Sequence, residues 1–179
     1  MTKHNPQTEP FKGVWPTVHA SAWIHQNATV IGQVVLGPDV SIWPGVSLRG
    51  DEGRIAVGAG SNIQDGSSVH MTGGWSHTMV GERVTVGHNV ILHGCTVEDD
   101  CLIGMGSVLL DGVVVGRGSY IGAGTLIPPN KVIPPGSFVF GNPYRVVRAC
   151  EAREAEWIAY AAKHYVELKD TYAARDAEG

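Results

Sequence analysis

A period of six runs through this chain. Stepping by six from Val18 meets Ile24, Val30, Leu36, Ile42 and Leu48; after a break come Val57, Ile63 and Val69, and after a second break Val80, Val86 and Leu92. The series resumes one residue early at Val97 and holds through Ile103, Leu109, Val115, Ile121, Ile127, Ile133 and Val139. Every member is Val, Ile or Leu. Four positions after most of them stands a small or β-branched residue, such as Ala22, Val40, Ser67, Val90, Ser107 or Thr125, with Cys101 and Lys131 among the few departures. Glycine often follows the aliphatic residue, as in "IGMGSV" and "IGAGTL", where its tolerance of positive φ suits a tight corner.

Ordinary alternating strands do not hold one phase over so many six-residue units. A coil of short parallel strands does, with one strand per hexapeptide, three per circuit, and successive circuits paired along the axis at about 4.8 Å per rung. The aliphatic residue fills the interior, where each contributes roughly 1.5–3 kcal/mol on burial. Periodicity leaves the hand open; the usual rule for parallel crossovers favours a right-handed coil. The fold class read here is all-β, a β-helix domain over residues 14–146. Residues 1–13 read as a flexible N-terminal tail, and 147–179 as an amphipathic helix and tail in which Trp157, Ala161, Tyr165, Leu168 and Tyr172 recur at helical steps.

Composition narrows the partners. The 179 residues are 43% hydrophobic, enough for a core, and carry a net charge of −4 with no basic stripe, which argues against nucleic acid and membrane surfaces. Three cysteines without CxxC spacing indicate neither a disulfide framework nor a thiolate zinc site, and fit a reducing compartment. The opening "MTKHNPQTEP" has no apolar core of a signal peptide, and no apolar run approaches the roughly 18 residues of a membrane span. The expectation is a soluble, cytoplasmic protein.

The histidines follow from the register. Val69 and Leu92 stand one circuit apart on the same face, so His70 and His93, each the next residue, stack about 4.8 Å apart and point outward. Two imidazoles at that separation can share a metal ion. His88, two residues after Val86, belongs to the preceding face, so it reaches the pair only across an interface with another chain. A closed ring of three subunits with three interfacial sites is then expected. If the break after Leu48 is a loop outside the coil, Arg49 joins the column of His70 and His93; Gln64 and Asp65 lie one circuit before Gly87 and His88. His4, His19, His25 and His164 read as solvated surface residues.

With these residues in hand, the chain resembles the gamma-class carbonic anhydrase family, bacterial carbonic anhydrase-like hexapeptide-repeat proteins included, from about Val14 to Tyr172. The segments that carry the resemblance are "SIWPGVSLRGD", "NIQDGSSVH", "VGHNVILHGC", "IGMGSVLLDG" and "HYVELKD". It implies a left-handed parallel β-helix, a homotrimer, and a metal held by His70 and His93 of one chain with His88 of the next. It also implies an Arg49–Asp51 ion pair near the subunit boundary, Asn62, Gln64 and Asp65 around the bound water, and Tyr165 of the terminal helix approaching the pocket. The implied activity is that of a carbonate dehydratase, a lyase in which metal-bound hydroxide converts carbon dioxide to bicarbonate. Three imidazoles leave Zn²⁺ an open position, and the same ligands suit Fe²⁺ or Co²⁺.

One departure from the family pattern concerns the proton. The archetype carries an acidic loop after its first ligand, whereas "MTGGWSHTMVG" has no carboxylate; His77 is the candidate shuttle there. Two other readings stay open on the residues alone: an acyltransferase or thioesterase acting on acyl-CoA, and a non-catalytic zinc-binding structural homologue.

Overall fold

The six-residue phase becomes register. In the computed structural model, which describes residues 7–178, three columns of aliphatic residues pair in parallel, circuit on circuit. One runs Ile24, Ile42, Ile63, Val86, Ile103, Ile121, Val139. A second runs Val30, Leu48, Val69, Leu92, Leu109, Ile127. The third runs Val18, Leu36, Val57, Val80, Val97, Val115, Ile133. Every column member from Ile24 onward is buried, and together they form one continuous core. The result is a parallel β-solenoid of about seven turns, the left-handed β-helix of hexapeptide repeats, with one C-terminal helix. The right-handed coil favoured by the crossover rule is not formed: that rule concerns connections that pack back over a sheet, and here the short strands turn directly at corners.

The small residues beside each corner have a second task. Ser61 and Ser67 donate from Oγ to the carbonyls of Gly81 and Gly87 and accept from the N–H groups of Val84 and Val90. A corner between strands leaves backbone groups without ladder partners. These hydroxyls supply them, which is why the position favours Ser and Thr as well as Ala and Val.

The first break is not a loop. Ser47–Val57 is one 11-residue strand, in which Gly50 pairs with Gly32 and Ile55 with Val34. Residues 51–54 therefore bulge from the corner where the previous circuit has Gln33 alone. Leu48 still pairs with Val69, so Arg49 keeps its place in the histidine column. The second break does leave the ladder, between Ser68–His70 and Thr78–Val80.

The chain also joins the prism earlier than its repeat. Residues 1–6 of the expected tail lie outside the described residues, but Thr8–Glu9 pairs in parallel with Val30 and Ile31. Thr8 is buried there, which an unattached tail would not allow.

After Val139 the chain reverses, Arg145–Ala149 pairing antiparallel with Ser137–Phe140, and the helix Ala152–Glu178 follows. At its start Glu154 accepts from the N–H of Glu151 at 2.7 Å, half of a capping box. The buried face holds Ile158, Ala161, Ala162 and Lys169, while Tyr165 and Tyr172 meet Trp43 with ring centroids 5.4 and 5.3 Å apart. Trp157 is 52% exposed, so it does not belong to the packed stripe: that stripe passes through its neighbour Ile158, about 100° around the helix. Lys169 Nζ donates to the Ser21 carbonyl at 3.1 Å and to Asp39 at 3.3 Å, fastening the helix to the first circuits. No described helix is long and apolar enough to cross a membrane.

Candidate metal centre

Ser68–His70 and Ile91–His93 are adjacent rungs, and His70 pairs directly with His93. Their rings stand 5.4 Å apart between centroids, tilted by 58°. His70 Nδ1 and His93 Nε2 approach to 3.4 Å. Two nitrogens at zinc–nitrogen distances of about 2.05 Å in tetrahedral geometry stand about 3.4 Å apart. The donor pair has the separation that two corners of such a site require.

Each ring is held from its other nitrogen. Asp51 Oδ1 lies 3.0 Å from His70 Nε2, and Asp111 Oδ2 lies 2.8 Å from His93 Nδ1. A carboxylate only accepts, so each neutral ring keeps its proton on the carboxylate side and turns its lone pair toward the other ring. Asp51 is itself paired with Arg49 at 2.6 Å. Burial pushes the Asp51 carboxyl up, but the Arg49 and His70 hydrogen bonds outweigh it and hold the group below its ordinary value.

His88 stands on the adjoining face with the same device: its Nδ1 lies 3.1 Å from Asp65 Oδ2. Both side chains are nearly half exposed. Nearby, Gln64 Nε2 donates to Asn62 Oδ1 at 3.0 Å, and Asn62 Nδ2 donates to Thr85 Oγ1 at 3.0 Å. This buried amide chain fixes which way the Gln64 head turns. Tyr165 shares with Gln64, His88, Met105, Tyr120 and Trp157 a groove of about 270 Å³. Burial, aided by the charge of Asp65, pushes the Tyr165 phenol above its ordinary value.

The expected residues thus fall into two groups on one chain: Arg49, Asp51, His70 and His93 on one face, and Asn62, Gln64, Asp65, His88 and Tyr165 on the next. Among the described residues of this single chain, no group of three or more His, Cys, Asp or Glu side chains is placed to hold a metal ion.

Two further acidic groups stand at this site beside the expected residues. Asp111 is the carboxylate behind His93, and it also accepts from Ser76 and Thr72 in the segment after His70. Its signal was available, since Leu109 pairs with Leu92 and carries "LDG" one circuit above "HGC". Glu52, in the bulge of the preceding circuit, lies against Gly73, where an added Cβ would meet its carboxylate. The segment without an acid of its own therefore has one beside it. His77 is exposed and accepts from the Arg54 N–H at 3.1 Å, at the bulge rather than between His70 and His93.

Comparisons with known proteins agree with this architecture. A family model described as bacterial transferase hexapeptide (six repeats) matches residues 94–129. "Gamma carbonic anhydrase 1, mitochondrial" of Arabidopsis thaliana is 44% identical over 168 residues, 91% of this chain, which spans 61% of that protein's length. Protein YrdA of Escherichia coli is 42% identical over 169 residues, covering 91% of this chain and 92% of its own. The crystal structure of a hexapeptide transferase family protein from Anaplasma phagocytophilum superposes with a TM-score of 0.89 at 38% identity, over 92% of this chain and 97% of that one. The chain belongs to the gamma carbonic anhydrase-like family of hexapeptide-repeat proteins.

Proposed function

We propose that this protein hydrates carbon dioxide to bicarbonate at metal centres shared between the subunits of a homotrimer. His70 and His93 of one protomer and His88 of the partner subunit are the ligands. One observation carries the reading: all three imidazoles have a carboxylate on one nitrogen, Asp51, Asp111 and Asp65 respectively. Carboxylate–histidine pairs of this kind fix ring orientation and raise ligand basicity at metal sites. A lone surface histidine has little use for the arrangement, and the paired His70 and His93 share it with His88 on the adjoining face.

Three imidazole nitrogens leave zinc an open position, at which the pKa of water falls to about 7 and a nucleophile is available at neutral pH. The chain's own residues do the rest. Gln64, with its head fixed by Asn62, orients the substrate by hydrogen bonding. Trp157, Met105 and Tyr165 line the groove beside His88. Glu52 and His77 are the titratable groups at the edge near the His70 segment, placed to pass a proton to buffer. Iron(II) or cobalt(II) would suit the same nitrogens.

The test is metal analysis of anaerobically purified protein together with stopped-flow hydration of carbon dioxide. About one divalent ion per subunit and a rate well above buffer are expected, both lost in His88→Ala. Metal-free active protein, or metal-loaded protein with no rate above buffer, would overturn the proposal. Activity of the metal-loaded protein on acyl-CoA thioesters in place of carbon dioxide would do so as well.

A further inference from the structure

We propose that Asp111 is the positioning residue of this centre: one carboxylate that sets the His93 imidazole and, at once, the segment following His70. Its effect on metal rests on the reading above; its effect on ring and segment does not. Asp111 Oδ2 accepts from His93 Nδ1 at 2.8 Å and from Thr72 Oγ1 at 3.2 Å. Its Oδ1 accepts from Ser76 Oγ at 2.5 Å and from the Thr72 N–H at 3.3 Å. Four donors therefore meet on a side chain only 13% exposed.

The donors come from two places in the chain. Thr72 and Ser76 belong to the excursion that leaves the ladder after His70, and His93 sits on the rung above His70. Asp111, from the circuit above His93, joins both. Gly94 makes room for it: φ is +62° there, and a Cβ would run into the Asp111 carboxylate and the Ser76 hydroxyl. Thr78 closes the other side, donating to the His70 carbonyl at 2.5 Å and accepting from the Gly94 N–H at 2.9 Å.

Because every partner donates to Asp111, an amide cannot replace the carboxylate. Asparagine offers one acceptor oxygen, and its nitrogen would face either His93 Nδ1–H or the Thr72 N–H. If it faces His93, the ring must move its proton to Nε2, the nitrogen that faces His70. If it faces Thr72, that N–H keeps only its Ser76 Oγ acceptor at 3.1 Å, and the tie between Asp111 and the segment after His70 is weakened. The first outcome turns a proton toward His70 and the second loosens the segment that follows His70, so a residue that touches no metal governs how the pair is presented.

The experiment uses full-length, metal-free protein with ¹⁵N-labelled histidine at about pH 8, above the imidazole range, read by long-range proton–nitrogen NMR. Wild-type His93 is expected as the Nδ1–H tautomer. Asp111→Asn should move it toward Nε2–H or speed hydrogen exchange over residues 72–76, and should weaken zinc binding about 10- to 100-fold. Ser76→Ala should speed the same exchange while leaving the His93 tautomer unchanged. An Nε2–H tautomer in the wild type overturns the proposal even if Asp111→Asn fails to fold. So does an Asp111→Asn protein with tautomer and exchange both unchanged. Failure of the wild type to bind zinc would sink the metal reading alone, because tautomer and exchange are measured without metal.

Discussion

His70 Nδ1 and His93 Nε2 face each other across 3.4 Å, and the other nitrogen of each ring meets a carboxylate, Asp51 or Asp111, which favours the tautomers whose lone pairs face each other. Two lone pairs so placed repel when nothing lies between them. A cation between them turns that repulsion into attraction. Removal of the proposed metal should therefore destabilise the fold, since a ligand that binds only the native state stabilises it by about 2.7 kcal/mol at 100 times its Kd. Thermal unfolding with a chelator, then with excess zinc, measures the difference. The zinc-dependent rise in Tm is expected in the wild type and absent in His70→Ala and His93→Ala.

Gly94→Ala is expected to be costly for a methyl group. The residue sits at φ +62°, where L side chains are disfavoured by about 1–2 kcal/mol, and the new Cβ would displace Asp111 and Ser76. The urea midpoint should fall by more than the backbone penalty alone accounts for. Zinc affinity should fall with it. A corner glycine with nothing within 4 Å of its added Cβ, such as Gly106, is the control, and Gly106→Ala should lose only the backbone term.

The core offers a simpler expectation. Ile103 is fully buried between the rungs of Val86 and Ile121, and close packing leaves a cavity when such a side chain is truncated. Ile103→Ala should cost about 2–5 kcal/mol in denaturant unfolding. The three columns form one continuous core, so the loss should appear in a single cooperative transition with the whole prism.

Much of this was legible because a repeat converts spacing into position. His70 and His93 are read as neighbours from the aliphatic residues that precede them, Val69 and Leu92, and those two do pair. Arg49 holds its place because Leu48 pairs with Val69, although residues 49–56 form strand and bulge rather than a loop. Here an insertion is tolerated on the outside of a corner while the inward residues keep their phase. Asp111 was passed over because the step from Leu92 to Val97 is one residue short, which obscures which later residue rises above His93. Helical spacing groups Trp157 with Ala161, Tyr165, Leu168 and Tyr172, but in the single chain Trp157 is exposed. Ala161, Tyr165 and Tyr172 do face the prism, and the face centres slightly to one side of the spacing, so that Ile158 and Ala162 are buried in place of Trp157.

The helix start should be sensitive to acid. Arg148 donates to both carboxylate oxygens of Glu154 at 3.0 Å, and these bonds, with the Glu151 N–H and Arg153, hold the Glu154 carboxyl at about 2 against its ordinary 4.5. A carboxyl depressed on folding contributes stability that is full above its unfolded pKa and is lost as pH falls through the folded one. Wild type should therefore exceed Glu154→Gln in stability at neutral pH, with the gap closing between about pH 4.5 and pH 2. Paired melting curves across that range measure it. A gap that persists at the acid end would mean that packing rather than charge holds the helix start.

The proposed division of the ligands between chains makes the sharpest prediction. His70 and His93 occupy one face of the prism and His88 the next, so in the proposed trimer a single mutant lacking either group should fail at every interface. Mixing changes this. In trimers formed from His88→Ala and His93→Ala subunits, an interface is whole wherever the first subunit presents His70 and His93 and the second presents His88. Random assortment leaves roughly a quarter of interfaces whole. Each mutant alone should be nearly inactive and poor in zinc, and co-refolded mixtures should recover about that fraction of both activity and bound metal. A centre built within one chain predicts no recovery at any mixing ratio, because no subunit in the mixture carries a complete set. Co-refolding two inactive proteins and titrating one against the other thus separates a shared centre from a self-contained one, with metal content and hydration rate expected to rise and fall together along the titration.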